Sequence, residues 1–375
     1  MSAGESTQML SYPPHPVDAG RIQQELDGLW ESFHQDLSDG QAVTRACMSN
    51  LIIYCDNDAH SSEIEQAIPA IVEVHPARVI LLTGEGDTPE SGIAVSVSGH
   101  YCALNGGWQV CAEQIRVVAN AASNRRLPSV TRALLVGDLP TTLWWASRQP
   151  PPFAGELFFK LADISDQIIY DSIGWTNPSK GMQAMARWVA AERNEYVVFN
   201  LAWRRLKPWR SLLSQVLDPA VHPGALAQVS QITIEHGPHA LAMAMLLLGW
   251  LASRLGWEPV DGKTLPGKET VWHFSVFGRQ IPVTIKRLGA GIPAPHRLHW
   301  YWRDGTGEQH VEFAHLGDER LGIVEQRSDV PVRVISAPEQ ARSALVSAQL
   351  AHRTRDKLFE QALVAGNAMT SVLNA

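Results

Sequence analysis

Cysteine is scarce in this chain and confined to its first third: Cys47, Cys55, Cys102 and Cys111 are the whole complement. None belongs to a CxxC or CxxH pair. That excludes the usual structural zinc motifs and a disulfide-built scaffold, and it fits a reducing compartment. Long apolar runs are missing too. The most apolar stretch, ALAMAMLLLGWLA at 240–252, has 13 residues, short of the roughly 20 that span a bilayer. It is expected to form a buried core helix, and no membrane contact is expected. No basic segment followed by an apolar run opens the sequence, so a signal peptide is not expected and the expected location is cytoplasmic. Positive charge is not in excess either. The balance is −7, whereas a nucleic-acid-binding domain is usually basic.

Catalytic signatures are absent as well. No GxSxG, HExxH, kinase, EF-hand or P-loop pattern occurs, and no GxGxxG follows an apolar strand. A plain Rossmann fold with a dinucleotide site is therefore not expected. Weaker candidates remain. Glu235, His236 and His239 lie close together, and His296, His299, His310 and His315 sit on later strands that can share a face. With 14 histidines in the chain, chance clusters are expected, and no metal site is assigned. Asp138, Asp163, Asp166 and Asp171 are the carboxylates available for acid–base work, but their turn and strand-end positions suit capping.

What is present is the pattern of an ordinary globular chain. It has 375 residues, 45% apolar and 18% charged, enough for two domains with their own cores. Thirteen tryptophans exceed the roughly five of average usage. Most are expected to fill cores, although tryptophan is also an interface anchor. Residues 1–20 read as a loose tail and residues 21–174 as an α/β domain with a mixed, partly parallel sheet. Residues 175–375 read as a helical segment followed by an α+β domain with an antiparallel sheet.

Within the first domain, helices are expected at 18–37 and, N-capped by Ser61 or Ser62, at 61–74. Strands are expected at 47–55, 78–83, 133–136 and within 163–172, with an acidic turn at 84–92. A hairpin is expected from 93–102 and 108–115, the second arm running into a helix at 114–124. In the second domain, helices are expected at 179–193, after an Asn200 cap, at 239–254 and at 337–365. Alternating strands separated by Gly or Asp turns fill 271–335.

Cys102 and Cys111 flank the hairpin turn. If Gly106 and Gly107 form a two-residue turn, the two cysteines face each other at a non-hydrogen-bonded position. A reversible disulfide is then within geometric reach. Two buried thiols are the alternative, and a turn at Asn105-Gly106 separates them.

The densest feature is at 203–210, where Trp203, Arg204, Arg205, Lys207, Trp209 and Arg210 place four cations and two indoles in eight positions. Local basicity in an acidic chain points to a specific contact. At about 100° per residue, Leu206, Trp209, Leu213, Val216 and Leu217 form an apolar stripe. Arg204 and Lys207 lie opposite it, on the solvated side. Arg205 and Arg210 fall in or beside the stripe and need partners, either an internal carboxylate or an acidic or phosphate group from outside. Pro208 is expected to kink or restart the helix.

Four segments taken together identify a family resemblance. They are HPARVILL (75–82), VCAEQI (110–115), RLPSVTRALLVGDLPTTLWWAS (126–147) and LAWRRLKPWRSLLSQVLDP (201–219). In this order and spacing they resemble the OpcA family, the glucose-6-phosphate dehydrogenase assembly proteins of cyanobacteria, actinobacteria and some other bacteria. The resemblance extends over roughly residues 45–360. It implies a non-enzymatic protein that needs no cofactor and binds glucose-6-phosphate dehydrogenase. Such a protein promotes the dehydrogenase's active oligomer and its response to glucose 6-phosphate, controlling entry into the oxidative pentose phosphate pathway. The cyanobacterial system is redox-controlled, and in this chain only Cys102 and Cys111 offer a counterpart. The competing readings are an enzyme or sensor for a sugar phosphate, built on Arg205, Arg210 and Asp138.

Overall fold

The structure is a computed structural model. It describes residues 9–11, 15–16, 19–36, 43–45, 47–88, 92–104, 107–191, 196–265, 269–317, 319–324 and 333–373. The first half runs β1 (Met9–Ser11), β2 (His15–Pro16), α1 (Ile22–Asp36), β3 (Val43–Arg45), β4 (Asn50–Asn57), α2 (Asp58–Glu65), α3 (Ile68–Val74) and β5 (Ala77–Glu85). It continues with β6 (Ile93–Leu104), β7 (Gly107–Ala119), α4 (Leu127–Leu134), β8 (Thr141–Trp145), α5 (Glu156–Ala162), β9 (Gln167–Tyr170), α6 (Pro178–Ala191) and β10 (Val197–Asn200). The second half runs α7 (Leu201–Arg205), α8 (Lys207–Val216), β11 (Val229–His236), α9 (Leu241–Leu255), β12 (Glu258–Leu265), β13 (Glu269–Val276) and β14 (Arg279–Arg287). Then come β15 (Pro295–Asp304), β16 (Gly307–His315), β17 (Arg320–Val324), β18 (Val334–Ser336), α10 (Arg342–Leu350) and α11 (Lys357–Ser371).

The first sheet has the order β1-β6-β7-β5-β4-β8-β9-β10. From β7 to β10 all neighbours are parallel. Counted along the chain, those six strands lie 3-2-1-4-5-6, the doubly wound order, with its switch point between β4 and β8. The expectation against a plain Rossmann sheet thus holds only in part. The parallel order is there, but an antiparallel β6 joins it beside β7. Burial on both faces explains the unbroken apolar strands. On β4, Ile52 and Tyr54 join one core, while Leu51, Ile53 and Cys55 join the other with α2 and α3 residues.

The second sheet has the order β12-β13-β14-β11-β15-β16-β17-β18. It is antiparallel except where β11 runs parallel to β14. Its strands alternate, as in β13, where every second residue is buried. The inward residues, among them Trp272, Phe274 and Trp300, pack in one core with α9 residues Leu246 and Leu247 and α11 residues Phe359 and Leu363. The 240–252 stretch is that buried α9, as expected. A side chain at Gly249 would collide with the Ala362 carbonyl oxygen, so α9 and α11 cross backbone to backbone.

Several local expectations fail for identifiable reasons. The 114–124 segment is no helix, because β7 continues to Ala119. The 133–136 strand is the end of α4, whose buried Leu127, Thr131 and Leu134 keep helical spacing. The 61–74 helix is two helices, and its cap is Asn57, which accepts from His60 N. The 337–365 helix is also two, the second capped by Asp356. Within the expected tail, β1 and β2 pair with β6. Residues 89–91 of the expected acidic turn lie outside the described residues. Tryptophan mostly fills cores: Trp144, Trp145, Trp209, Trp272 and Trp300 are among the largest fully buried side chains.

The cysteine hairpin has a different register. Leu104 pairs with Gly107, so Cys102 faces Gln109. A bulge follows, with Tyr101 opposite Val110 and His100 opposite Ala112. Cys111 is the extra residue of that bulge. It lies 6.0 Å from Cys102, Cα to Cα, and a disulfide joins the two.

Candidate functional site

The 203–210 segment follows β10 directly. Asn200 closes that strand and caps α7, accepting from Ala202 N, while its amide also donates to Ser172 Oγ. The helix does not run on as one. It stops at Leu206 and restarts with Pro208 in the first turn of α8, as proline's fixed φ favours. The single wheel therefore does not describe it. Trp203 and Trp209 are both buried. Trp203 Nε1 donates to Asp356 Oδ2 at 2.7 Å, and the Arg210 guanidinium lies 3.5 Å from a Trp203 ring centre. That withdraws Trp203 from any contact surface.

The cations divide. Arg205 Nη1 meets Asp171 Oδ2 at 2.8 Å, so its partner is the internal carboxylate. Arg210 rests on Trp203 with its Nε unbonded, and burial pulls its pKa down to about 10. Arg204 is half-buried and donates to Gln349 Oε1 at 3.2 Å. Only Lys207 is exposed. Arg204 and Lys207 thus do not share one solvated side.

Arg204, Arg205, Lys207 and Trp209 line a cleft of about 1700 Å³. Its first-half wall comes from α2 and from the loops after β8 and β9, including Arg148 and Asp171. Its second-half wall comes from residues 291–294, His315, Glu319 and residues 335–343. The cleft therefore opens outside the carboxyl ends of parallel strands, where doubly wound sheets bind. Arg342 is paired with Glu63 at 3.1 Å. Once such pairs are set aside, Arg148, Arg204 and Lys207 have no carboxylate partner among the described residues, and neither Glu319 nor Glu339 has a cation. His315 meets Trp209 edge-on at 5.7 Å, and burial holds its pKa below the usual imidazole value.

The aspartates play structural parts. Asp166 accepts from Thr141 N, and Asp163 accepts from Tyr196 OH. Asp138 is an exposed turn residue with φ 61°. It precedes β8, whereas Asp171 follows the parallel β9, so the two stand at opposite ends of the sheet. Arg205 and Asp138 accordingly do not converge. The four histidines do not form one group either. His299 Nδ1 and His310 Nε2 are 3.3 Å apart, while His296 bonds the Ile292 carbonyl and His315 lines the cleft. Among the described residues, no group of three or more His, Cys, Asp or Glu side chains is arranged to hold a metal.

The switch-point crevice is a second cavity, of about 530 Å³, lined by Tyr54, Asp56, Glu85, Arg125, Glu156 and Lys160 among others. Tyr54 stacks on Trp145 at 4.3 Å between β4 and β8. In dinucleotide sheets the first helix N-terminus receives a pyrophosphate. Here that turn carries Asp58, which pairs with Arg116 at 3.0 Å and accepts from Asp87 N. A carboxylate in that turn repels an anion.

Two clamps escaped sequence reasoning. Arg78 Nε donates to Glu113 Oε2 at 2.9 Å and its Nη1 to the Leu134 carbonyl, joining three of the four family segments. The Asn50 amide donates to Val136 O and accepts from Val136 N. Nothing in local sequence marks either residue, since their partners lie 35 to 86 positions away.

Comparison with known proteins followed two lines. A domain model described as "Glucose-6-phosphate dehydrogenase subunit N-terminal domain" matches residues 69–187, and its C-terminal counterpart matches 196–363. Curated relatives whose names carry OpcA and the OxPP cycle are also similar. That of Nostoc punctiforme is 30% identical over 77% of this chain and 64% of its own length. That of Synechocystis sp. is 29% identical over 67% of this chain and 50% of its own. The chain thus spans about half to two thirds of the relatives it matches. Among solved structures, an NAD-binding oxidoreductase from Klebsiella pneumoniae aligns at TM-score 0.48 and 10% identity, over 87% of this chain and 97% of that one. Glucose-6-phosphate 1-dehydrogenase from Mycobacterium avium aligns at 0.45 and 8%, over 84% and 90%. Likeness of that degree assigns neither activity nor ligand. The two domain matches, in order along the chain, and the curated relatives place this chain in the OpcA family.

Proposed function

We propose that this chain is a non-catalytic assembly partner of glucose-6-phosphate dehydrogenase, and that it raises the enzyme's activity by binding its active conformation more tightly than its inactive one. A ligand shifts such an equilibrium only through differential affinity. In this reading the dehydrogenase docks through the cleft, with Lys207 and Arg204 as the contacts from α7 and α8. The observation that carries it is the cleft's size and wiring. About 1700 Å³ exceeds the roughly 300–1,000 Å³ of small-molecule pockets and suits a protein segment. The strongest polar groups on its wall are already spent on each other, as in Arg205–Asp171 and Arg342–Glu63. The sugar-phosphate reading has no such support, because Asp138 stands at the other end of the sheet.

The test is a titration of the chain into cognate glucose-6-phosphate dehydrogenase at low glucose 6-phosphate, with co-elution in parallel. A lowered half-saturation or a raised rate is expected. The double variant Arg204→Glu, Lys207→Glu is expected to keep its circular dichroism and to bind at least tenfold more weakly. No co-elution and no kinetic change with the unaltered chain would falsify the assembly reading. Turnover of a sugar phosphate by the chain alone would establish the enzyme reading in its place.

A further inference from the structure

The hairpin between β13 and β14 turns on Phe277 and Gly278, with Val276 paired to Arg279. Both turn residues have positive φ, 46° and 79°. That is the two-residue turn whose twist suits a hairpin, and its first position calls for Asn, Asp or Gly. A bulky side chain in the left-handed region is a true outlier. The other described non-glycine residues with positive φ are polar: Asp138, His239 and Glu319. Phe277 alone among them is apolar, and nothing inside the molecule compensates for its backbone. The ring is 73% exposed, the largest exposure among the described large hydrophobic residues. It makes no aromatic contact among the described residues. On the neighbouring edge strand, the bulge residue Val260 is 45% exposed.

A lone exposed apolar side chain needs no explanation. One held out on a costly backbone does, because strain persists where a function maintains it. We propose that Phe277 is an aromatic anchor, presented by the hairpin tip with Val260 beside it, that inserts into an apolar pocket of the dehydrogenase. The inference rests on the assembly reading and adds a second contact to it, remote from the cleft. β14 starts at the tip, and the loop after its far end lines the cleft. Nine residues at about 3.3 Å each separate the two ends. This geometry also argues against a second copy as the occupant. A ring of one copy seated in the cleft of another would join head to tail, building open chains or rings instead of a closed pair.

The experiment uses the full chain and purified glucose-6-phosphate dehydrogenase, with calorimetric titration of the unaltered chain and of Phe277→Asn, Phe277→Ala and Phe277→Tyr. Asn suits the turn, so Phe277→Asn is expected to raise Tm while weakening association at least tenfold. Ala is expected to weaken it similarly, and Tyr to retain it. The loss is expected to be the same at low and high salt, unlike that of the Arg204→Glu, Lys207→Glu variant, whose deficit shrinks with salt. If the unaltered chain binds and Phe277→Asn binds equally well, the anchor is overturned and the assembly reading stands. If the unaltered chain does not bind, both fall. Self-association of the isolated chain that disappears in Phe277→Asn, seen by sedimentation, would reassign the ring to a second copy and overturn the proposal.

Discussion

Arg205 Nη1 and Asp171 Oδ2, 2.8 Å apart, tie the helix after β10 to the loop after β9, with each side chain about one fifth exposed (21% and 18%). The pair stands at the carboxyl edge of the first sheet and forms part of the cleft wall. Residual solvent screens it, so its strength lies between that of surface and buried pairs. Arg205→Ala and Asp171→Ala are each expected to cost about 1–2 kcal/mol in urea unfolding. The double variant should cost less than their sum. Strict additivity in the cycle would mean that the two charges are not coupled.

Stability should fall on mild acidification. Burial holds His60, His75, His100, His236, His310 and His315 below the ordinary imidazole value of 6.5. Below about pH 6.5 the unfolded chain therefore takes up protons that the folded chain refuses. Their contribution is present above that pH and is lost as the pH drops through 6.5 towards the lowered values. His100, bonded through Nε2 to Gln114 Oε1 at 2.9 Å, is the one to probe. His100→Gln should flatten the decline between pH 6.5 and 5 in denaturant titrations. An unfolding free energy constant over that range would contradict the assignment.

The Cys102–Cys111 disulfide closes a loop with a sequence separation of 9. A crosslink of that size stabilises by up to about 3 kcal/mol in the chain-entropy account, and by less where the strands already hold the ends together. Dithiothreitol is expected to lower the Tm of the unaltered chain by a few degrees and to leave that of Cys102→Ser, Cys111→Ser unmoved. Equal sensitivity of both proteins would show that the effect arises elsewhere.

Two glycines at the α11 contacts should respond differently to the same change. Gly249→Ala drives a methyl into the Ala362 carbonyl of the crossing helix. It is expected to cost about 1–3 kcal/mol, despite the roughly 1 kcal/mol of helix propensity gained. Gly366→Ala meets the Met182 thioether, a flexible group that can swing aside. Its Tm should stay within a few degrees of the parent, and a loss equal to that of Gly249→Ala would refute the distinction.

Periodicity carried most of the architecture. The apolar strands β4, β5 and β9, the buried α9 and the alternating second sheet all read correctly, because burial on one or two faces writes itself into residue spacing. Misreadings came where one apolar run serves either period. In α4, Leu134 continues a helical stripe begun at Leu127, although residues 133–136 read as a strand. The cysteine register was missed because a bulge at Cys111 restores by one extra residue what the turn position had displaced. At the site, sequence alone located the 203–210 segment and the need of Arg205 for a partner. It could not single out Asp171, 34 positions away. Nor could it see that Trp203 is buried under Arg210.

The return of α10 to the first half sets an order of events in synthesis. Leu345, Val346 and Leu350 complete the core that β4, β5, α2 and α3 begin, and Gln167 at the start of β9 donates to the carbonyls of Gln349 and His352. A nascent chain that has emitted its entire first sheet still shows an open apolar face, and it stays so until residues 342–350 leave the ribosome. Until then that face is a target for chaperones or for misassociation. Translation speed through the second half therefore governs how long the first half stays exposed.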